Sequence, residues 1–299
     1  MIYVAQGYEK SEGLPLFLRA LSCFPQIIAD NFCLMIDERS ANSFKIDKER
    51  LHYGLLQVPV VICSNNHLSQ TQSSLESCLE AIELNDLLFT LPTQKNQLCF
   101  NGKGASGYTE FLRKYYSLPS ISMSFQSPSH KFLLLSDHIP LTKVSQISKE
   151  TIIAKVTSAL DSQFFFIKKI VFLGINPHAG EEGLIGSEDK VISEAMKILK
   201  KKYGQYEFIG PIAGDSSLIS IPNISETLVI SPFHDQGLSL FKAQNGLVGA
   251  NISLGLPFVR LSVDHGTAPH KKAQDLSITG MIYCINLMMK RLEFNHGIK

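Results

Sequence analysis

The chain has 299 residues, of which 44% are apolar and 18% charged, a balance that can build a large folded core. Its formal net charge of +1 gives no indication of a surface for nucleic acid or anionic membranes. No apolar run approaches the roughly 18 residues of a membrane span, and the N-terminus lacks the segments of a secretory signal. We therefore expect a cytoplasmic protein. Its six cysteines, none of them in a C-x-x-C pair, are expected to be reduced and mostly buried.

The first half of the chain alternates apolar runs with helical patterns. In chain order, the predicted elements are a strand at 2–5, a helix at 14–24, a strand at 58–63, a helix at 73–84, a strand at 87–90 and a helix at 109–116. Because Pro59 cannot donate to a central ladder, we expect 58–63 to be an edge or terminal strand. Ser73 or Ser74 is the expected cap of the helix that follows.

The same alternation continues to the C-terminus. The predicted strands are 131–135, 170–173, 228–230 and 258–263, and the predicted helices are 148–164, 187–201 and 281–292. Strands alternating with helices indicate an α/β fold with a largely parallel sheet. No linker divides the chain, so we expect one catalytic unit over 1–299 in which the chain crosses between two lobes, approximately 1–120 with 250–299, and 121–249.

Histidines follow the carboxyl ends of the four predicted strands in this half, at positions 138, 178, 234 and 265. In an open α/β sheet, ligands bind beyond the carboxyl ends of the strands. Imidazoles delivered to one such edge can hold a divalent metal. The alternative for each residue is a turn or surface histidine, and spacing alone does not separate ligand from substrate contact for His265. The remaining histidines, at 52, 67, 130, 270 and 296, are expected to be solvated.

Two of these loops carry further signals. Residues 174–183 contain three glycines and a proline, which favour an irregular backbone that a ligand can approach closely. The helix that follows directs its N-terminus to the same region, which favours an anion. His234 precedes Asp235, which can orient the imidazole or act as a base; the alternative is a capped turn.

A second group of polar residues comprises Lys242, Asn251 and Arg260. Arg260 interrupts an apolar strand, and a cation in that position needs a partner. A phosphate or carboxylate of a substrate would supply one, since arginine binds such groups bidentately. An internal salt bridge to Asp264 or Asp235 is the equally weighted alternative.

Several segments in register resemble 4-hydroxythreonine-4-phosphate dehydrogenase, the PdxA family of pyridoxal phosphate synthesis. They are Asn-Pro-His-Ala-Gly-Glu at 176–181, His-Asp-Gln-Gly at 234–237, Asn-Ile-Ser-Leu-Gly-Leu-Pro-Phe-Val-Arg at 251–260 and Ser-Val-Asp-His-Gly-Thr-Ala at 262–268, with looser matches at 90–95, 107–111 and 210–216. The resemblance covers the chain from about residue 87 to its end.

The resemblance implies a two-lobed fold similar to isocitrate and isopropylmalate dehydrogenases, with a cleft between the lobes. It implies metal ligands at His138, His178 and His234, and substrate contacts at Tyr108, Thr109, Lys242, Asn251 and Arg260. It also implies a homodimer with the site at the subunit interface, a divalent metal (zinc, magnesium or cobalt) and NAD or NADP. The absence of a Gly-x-Gly-x-x-Gly fingerprint does not count against NAD, because that family does not use the usual dinucleotide site.

The implied reaction is oxidation of 4-phosphooxy-L-threonine to 2-amino-3-oxo-4-phosphooxybutanoate, followed by decarboxylation to 3-amino-2-oxopropyl phosphate. Lys242 or Asp235 is the expected proton acceptor. The chain departs from the family pattern in its opening loop at 7–15, at Tyr108, where a substrate-binding histidine is expected, and at 269–274. These departures leave open a related substrate such as a phosphotetronate. A metal-dependent hydrolase without NAD and a binding protein without catalysis are the alternatives from other classes.

Overall fold

The computed structural model describes residues 1–65, 67–221, 224–267 and 272–297. His270 and residues 269–271 of the departing segment lie outside this part of the chain. The chain forms two compact units: one comprises Met1–Pro119, Leu247–Asn251 and Leu256–Lys299, and the other comprises Ser120–Gly246 and Ile252–Gly255. We call these unit 1 and unit 2. No helix in the described part of the chain is long and apolar enough to span a membrane.

The strands, in chain order, are β1 (Ile2–Ala5), β2 (Phe32–Asp37), β3 (Lys45–Asp47), β4 (Arg50–Tyr53), β5 (Leu56–Cys63), β6 (Leu87–Thr90), β7 (Cys99–Phe100), β8 (Lys103–Gly104), β9 (Ser122–Gln126), β10 (Lys131–Leu134), β11 (Lys169–Leu173), β12 (Glu207–Ile212), β13 (Thr227–Ser231), β14 (Ala250–Leu254) and β15 (Val259–Val263). The α-helices are α1 (Gly13–Leu21), α2 (Gln26–Ala29), α3 (Glu38–Ala41), α4 (Gln70–Ala81), α5 (Tyr108–Tyr115), α6 (Lys149–Asp161), α7 (Lys190–Lys202), α8 (Ser217–Ser220), α9 (His234–Asn245) and α10 (Thr279–Asn295). Short 3-10 turns lie between them.

In unit 1 the sheet runs in the order β15-β6-β1-β2-β5-β4-β3. The pairs from β15 to β5 are parallel, and β4 and β3 continue the sheet as antiparallel strands. All four residues of β6 are buried, as expected for a strand covered on both faces. The rings of Phe17, Phe32 and Phe89 pack beside one another in the core of this unit.

In unit 2 the strands follow the order β12-β11-β13-β10-β9. The first four are mutually parallel, and β9 pairs with β10 in the antiparallel sense. Helix α9 packs on this sheet, where Phe241 contacts the rings of Phe125 and Phe132. The parallel arrangement brings the carboxyl ends of β11, β13 and β10 to one edge of the sheet, and this edge positions the candidate site.

These observations confirm the α/β class and the largely parallel sheets that the sequence predicts. Two element predictions are wrong. Strand β5 is interior, because it pairs with β4 through Pro59 and with β2 from Val60 onward, so the proline lies where one ladder ends and the other begins. Helix α4 begins earlier than predicted: Ser69 caps it by accepting from the Gln72 amide at 3.1 Å.

Candidate functional site

Three histidine-bearing segments leave the same edge of the sheet in unit 2. Strands β11, β13 and β10 are neighbours and parallel, and each is followed within a few residues by a histidine. His138 follows β10, His178 follows β11 and His234 follows β13. The sequence prediction that these residues share one crest of the sheet is therefore consistent with the strand order.

His138 and His234 lie side by side. Their ring centroids are 5.5 Å apart with an interplanar angle of 38°. The segments that carry them are joined where β10 and β13 end, since the Ser136 hydroxyl donates to the Pro232 carbonyl at 2.6 Å. This bond fixes the spacing of the two histidine-bearing segments before any ligand binds.

His234 is the first residue of α9, and its Nδ1 lies 2.7 Å from Oδ1 of Asp235. A carboxylate that accepts from Nδ1 fixes the imidazole tautomer and leaves Nε2 as the basic nitrogen. The geometry thus favours the orienting role for Asp235 over the role of a base.

His178 lies in a strained turn. Residues 178–182 have consecutive φ values of 52°, 53°, 82°, 42° and 54°, so the backbone makes a left-handed turn in which only one residue is a glycine. Such conformations cost energy for residues with a Cβ, and they concentrate at functional sites. Within the turn, Nδ1 of His178 contacts Oε1 of Glu181 at 2.5 Å, and this hydrogen bond raises the pKa of the imidazole.

Two polar side chains that the sequence analysis did not select hold this turn in place: Asp189, which is buried, and Gln236, which is half-buried. Asp189 accepts from the amides of Ile175 at 2.6 Å and Asn176 at 3.2 Å, and from the Asn176 side chain at 2.9 Å. Gln236 donates to the Gly174 carbonyl at 2.8 Å and accepts from the Ser231 hydroxyl at 3.0 Å.

Different sequence signals accompany these two residues. Asp189 lies just before α7, where a negative charge is favourable to a helix N-terminus, and this position gives no sign of a loop anchor. Gln236 belongs to the His-Asp-Gln-Gly segment, so the motif contained the signal without indicating the role.

An open cavity of about 590 Å³ lies beside His178, within unit 2. Its walls are largely apolar, with Leu141, Val144 and Phe233 among them. Asp215 also lines it, and its negative charge contributes to the raised pKa of His178. Asp215 is a further residue that the sequence analysis did not select.

The described residues contain no group of three or more His, Cys, Asp or Glu side chains close enough to hold a metal. The chain by itself therefore brings together two of the three predicted ligands, His138 and His234, while His178 stands on the neighbouring segment with 61% of its side chain exposed. The three side chains are imidazoles, and in two of them Nδ1 is hydrogen-bonded to a carboxylate. Zinc and similar ions prefer ligands of this kind.

Unit 1 holds a different cluster around Arg260. Arg260 is 3% exposed, and its guanidinium donates from Nε and Nη2 to the Thr90 hydroxyl at 2.9 and 2.5 Å. Its central carbon lies 5.1 Å from the centroid of the Tyr108 ring. Burial lowers the pKa of Arg260 to about 10. The Tyr108 hydroxyl donates to the Leu91 carbonyl at 3.0 Å, and burial raises its pKa.

The other predicted substrate residues occupy different settings. Thr109 is buried in the first turn of α5, Asn251 is half-buried in β14, and Lys242 is exposed on α9. Oδ1 of Asn251 is buried without a hydrogen-bond partner in the part of the chain that the structure describes. His265 is half-buried after β15, with Nδ1 at 3.1 Å from the Gly266 carbonyl.

Two side predictions need correction. His130 is buried, since its Nδ1 contacts the Ser129 hydroxyl at 2.7 Å and desolvation lowers its pKa. The cysteines are free thiols, but Cys23 and Cys99 are exposed. For His130 and for these two cysteines, the polarity of the neighbouring residues in the sequence does not indicate whether the side chain is buried.

The family model described as pyridoxal phosphate biosynthetic protein PdxA matches residues 37–283. The chain belongs to the PdxA family. A relative from Sulfurimonas denitrificans, named 4-hydroxythreonine-4-phosphate dehydrogenase, is 33% identical over 237 residues, which cover 73% of this chain and 74% of the relative. The PdxA family is a family of oxidoreductases, and the chain is an enzyme of that class.

Solved structures agree on the fold. A 4-hydroxythreonine-4-phosphate dehydrogenase from Klebsiella pneumoniae superposes with a TM-score of 0.76 at 21% identity, covering 98% of this chain and 99% of that one. Isocitrate dehydrogenase from Methylococcus capsulatus superposes with a TM-score of 0.53 at 12% identity, covering 99% and 87%. The predicted PdxA resemblance and the predicted relation to the isocitrate dehydrogenase fold are both confirmed.

Proposed function

We propose that this PdxA-family enzyme oxidises 4-phosphooxy-L-threonine with NAD or NADP, and that the product then loses CO₂ to give 3-amino-2-oxopropyl phosphate, in pyridoxal 5'-phosphate biosynthesis. The observation that carries the proposal is the delivery of three histidines from three adjacent parallel strand ends, two of them already paired. The substrate is that of the enzyme for which the relatives are named.

His138, His178 and His234 are the proposed ligands of a divalent ion such as zinc, magnesium or cobalt. When bound, the metal would lower the pKa of the substrate hydroxyl as a Lewis acid, and the nicotinamide would accept hydride. Asp235 and Glu181 would hold the Nδ1 protons of their histidines, so that Nε2 is the ligating atom.

The chain's cationic and polar side chains are proposed to bind and orient the substrate. Arg260 is suited to a phosphate or carboxylate, because its guanidinium is buried and fixed by Thr90. Thr109 and Asn251 are the proposed neutral contacts, and the buried Oδ1 of Asn251 is an acceptor that a substrate donor would satisfy.

Lys242 is the proposed proton acceptor for the substrate hydroxyl, since Asp235 is already engaged with His234. Oxidation of that hydroxyl places a ketone β to the substrate carboxylate. The C–C bond to the carboxylate can then break, because its electron pair passes into the ketone as an enolate. Protonation of that enolate completes the decarboxylation.

A homodimer with the site at its interface is part of the proposal. Exposed apolar side chains follow the histidines along the chain: Ile139 and Leu141 after His138, and Leu184, which is 87% exposed, after the His178 turn. Apolar residues grouped in this way mark association surfaces. A second copy would both cover them and complete a metal site that one chain leaves with two neighbouring ligands. Free thiols agree with a cytoplasmic location.

The test is a turnover assay of purified protein with 4-phosphooxy-L-threonine, NAD⁺ and added Zn²⁺, Mg²⁺ or Co²⁺, with an EDTA control. We expect NADH only when a metal is present. His178→Ala should lose metal binding and turnover together, whereas His67→Ala, a change at an exposed histidine of unit 1, should lose neither. A fully active His178→Ala variant would defeat the proposal.

Shared ligands make a specific prediction for mixed dimers. Suppose that His138 and His178 of one site belong to different subunits. Refolding the His138→Ala and His178→Ala variants together then restores one intact site in each mixed dimer. Turnover should then recover to about a quarter of the wild-type value, because half of the dimers are mixed and half of their sites are intact. No recovery in the mixture would place both ligands on one chain.

A related phosphorylated hydroxy acid, such as a phosphotetronate, is the second candidate substrate. It is favoured by one observation: the hydroxyl of Tyr108 is bound to Leu91, so this residue does not present the donor that an imidazole would. Steady-state assays on both substrates decide between them. Product formed without NADH would instead indicate metal-dependent hydrolysis.

A further inference from the structure

Arg260 of unit 1 is a cation that is almost completely buried. It stands in β15, where its neighbour in the adjacent strand is Leu88, and its side chain is 3% exposed. Desolvation is the cause of its lowered pKa. A guanidinium in such a place must be held by neighbouring groups, and the structure shows two of them on different elements, Thr90 and Tyr108.

Tyr108 is itself fixed at both ends. It is the first residue of α5, and its hydroxyl donates to the Leu91 carbonyl at 3.0 Å. The acceptor segment is also fixed, because the Leu91 amide donates to the Ala5 carbonyl at 3.0 Å, at the end of β1. The tyrosine ring is therefore held against the guanidinium by its backbone and by its hydroxyl.

A planar guanidinium offers two kinds of surface. Its face packs on aromatic rings, and its edge carries N–H donors that match an oxyanion. Tyr108 and a bound oxyanion can therefore hold Arg260 at the same time. Because the ring excludes water from the guanidinium, it strengthens the attraction between the cation and an anion.

We infer that Tyr108 is a positioning residue, which sets how tightly Arg260 binds the phosphate ester of the substrate without itself hydrogen bonding to that substrate. The identity of the anion as the substrate's phosphate rests on the proposed function. The role of the Tyr108 ring, which holds the Arg260 guanidinium and excludes water from it, rests on the contacts alone. Position 108 thereby determines specificity: it favours substrates that bind through an oxyanion at Arg260 and supplies no side-chain donor of its own.

The test compares variants that separate the ring from the hydroxyl. Tyr108→Leu removes the ring, and Tyr108→Phe removes only the hydroxyl, with its bonds to Leu91 and Thr93. Tyr115→Leu is the matched control on the same helix, at a half-exposed tyrosine. Binding of inorganic phosphate is measured by calorimetry without substrate or NAD, with Arg260→Met to show which heat comes from this site and acetate to compare a carboxylate. KM and kcat are measured separately for turnover.

We expect Tyr108→Leu to weaken phosphate binding and to raise KM by about tenfold, which corresponds to about 1.4 kcal/mol. We expect kcat to change less than about threefold, since Tyr108 does not contact the reacting hydroxyl. Tyr108→Phe should stay within about threefold of wild type in both quantities, because the ring over the guanidinium remains. Acetate should bind more weakly than phosphate in every variant, and acetate binding equal to phosphate binding would overturn the assignment to a phosphate ester.

Three further results would overturn the inference: an unchanged phosphate affinity in Tyr108→Leu, a loss in Tyr108→Phe as large as that in Tyr108→Leu, or no phosphate binding by the wild-type protein. If Tyr108→Leu does not fold, Tyr108→Met provides the same test, since methionine fills irregular space without an aromatic face. Wild-type protein that binds phosphate at Arg260 but does not oxidise 4-phosphooxy-L-threonine would refute the proposed function and leave this inference standing.

Discussion

Replacing Asp189 by asparagine tests whether a buried carboxylate holds the His178 turn. The residue is 5% exposed, and its two oxygens accept three hydrogen bonds, from Ile175 at 2.6 Å and from the backbone and side chain of Asn176 at 3.2 and 2.9 Å. An asparagine keeps one acceptor oxygen and points an NH₂ group at donors that previously met the other. The amide oxygen can keep at most two of the three bonds, and those bonds no longer go to a charged group, so we expect unit 2 to be destabilised by about 2–4 kcal/mol.

The assay is thermal unfolding together with metal titration. The expected loss of stability lowers the unfolding temperature by about 5–10 °C. Metal affinity should fall about 10–100-fold, as it does when other residues that hold a metal ligand in place are replaced. The matched control is Glu188→Gln, an acid-to-amide change one residue earlier, whose contact with Asn176 is only partly buried and can be kept by the amide oxygen. Equal unfolding temperatures for wild type and Asp189→Asn would refute the reasoning.

Three further substitutions test other parts of the account. Gly214→Ala should displace Gln236, because the new Cβ would lie 2.7 Å from its Nε2; we expect turnover to fall at least about tenfold with the fold retained by circular dichroism. Gly7→Ala should destabilise unit 1 by about 2 kcal/mol or more in urea unfolding, since φ is +74° and the Cβ would lie 2.5 Å from a carbonyl oxygen; wild-type stability would contradict this. The hydrogen bond from Lys114 holds the pKa of Glu110 at about 2, so the stability this carboxylate adds is present above its unfolded pKa and is lost as pH falls toward 2. The difference in unfolding temperature between wild type and Glu110→Gln should therefore shrink below about pH 4.5, and a difference independent of pH would contradict it.

Much of the fold could be predicted because its strands are apolar runs with clear ends. The segment at 87–90 is a short apolar run that is buried along its whole length, and residues 148–164 have helical spacing, so local patterns predict both elements. The interior position of β5 could not be predicted, because Pro59 is tolerated only through a change of partner strand that no local pattern shows. The cap of α4 was misplaced because Ser74 is a polar residue buried by tertiary bonds to Met35 and Gln6.

Part of the candidate site could be predicted, because residues that follow neighbouring parallel strands lie at the same edge of the sheet. The sequence places histidines after β10 and β13 at one edge of the sheet, and the ring centroids of His138 and His234 lie 5.5 Å apart. The left-handed turn at 178–182 was not predictable, since only Gly180 within it signals a positive φ. Asp189 was also hidden, because its function depends on folding back onto amides more than ten residues earlier in the chain.

The burial of Arg260 shows where sequence reasoning stops. Its place in an apolar strand indicates a need for a partner, and the sequence gives equal weight to an anionic group of a substrate and to an internal salt bridge. The structure adds the hydroxyl of Thr90 and the aromatic ring of Tyr108. Both residues lie more than 150 positions before Arg260 in the chain. Such contacts depend on which strands become neighbours, and that information is not local.

The most direct test of the central claim measures NADH and CO₂ from a single reaction with 4-phosphooxy-L-threonine, in the presence and absence of a divalent metal. The account predicts the two products in equal amounts, both abolished by EDTA and by substitution of His138, His178 or His234. NADH formation that persists in those variants, or CO₂ and phosphorylated product without NADH, would contradict it.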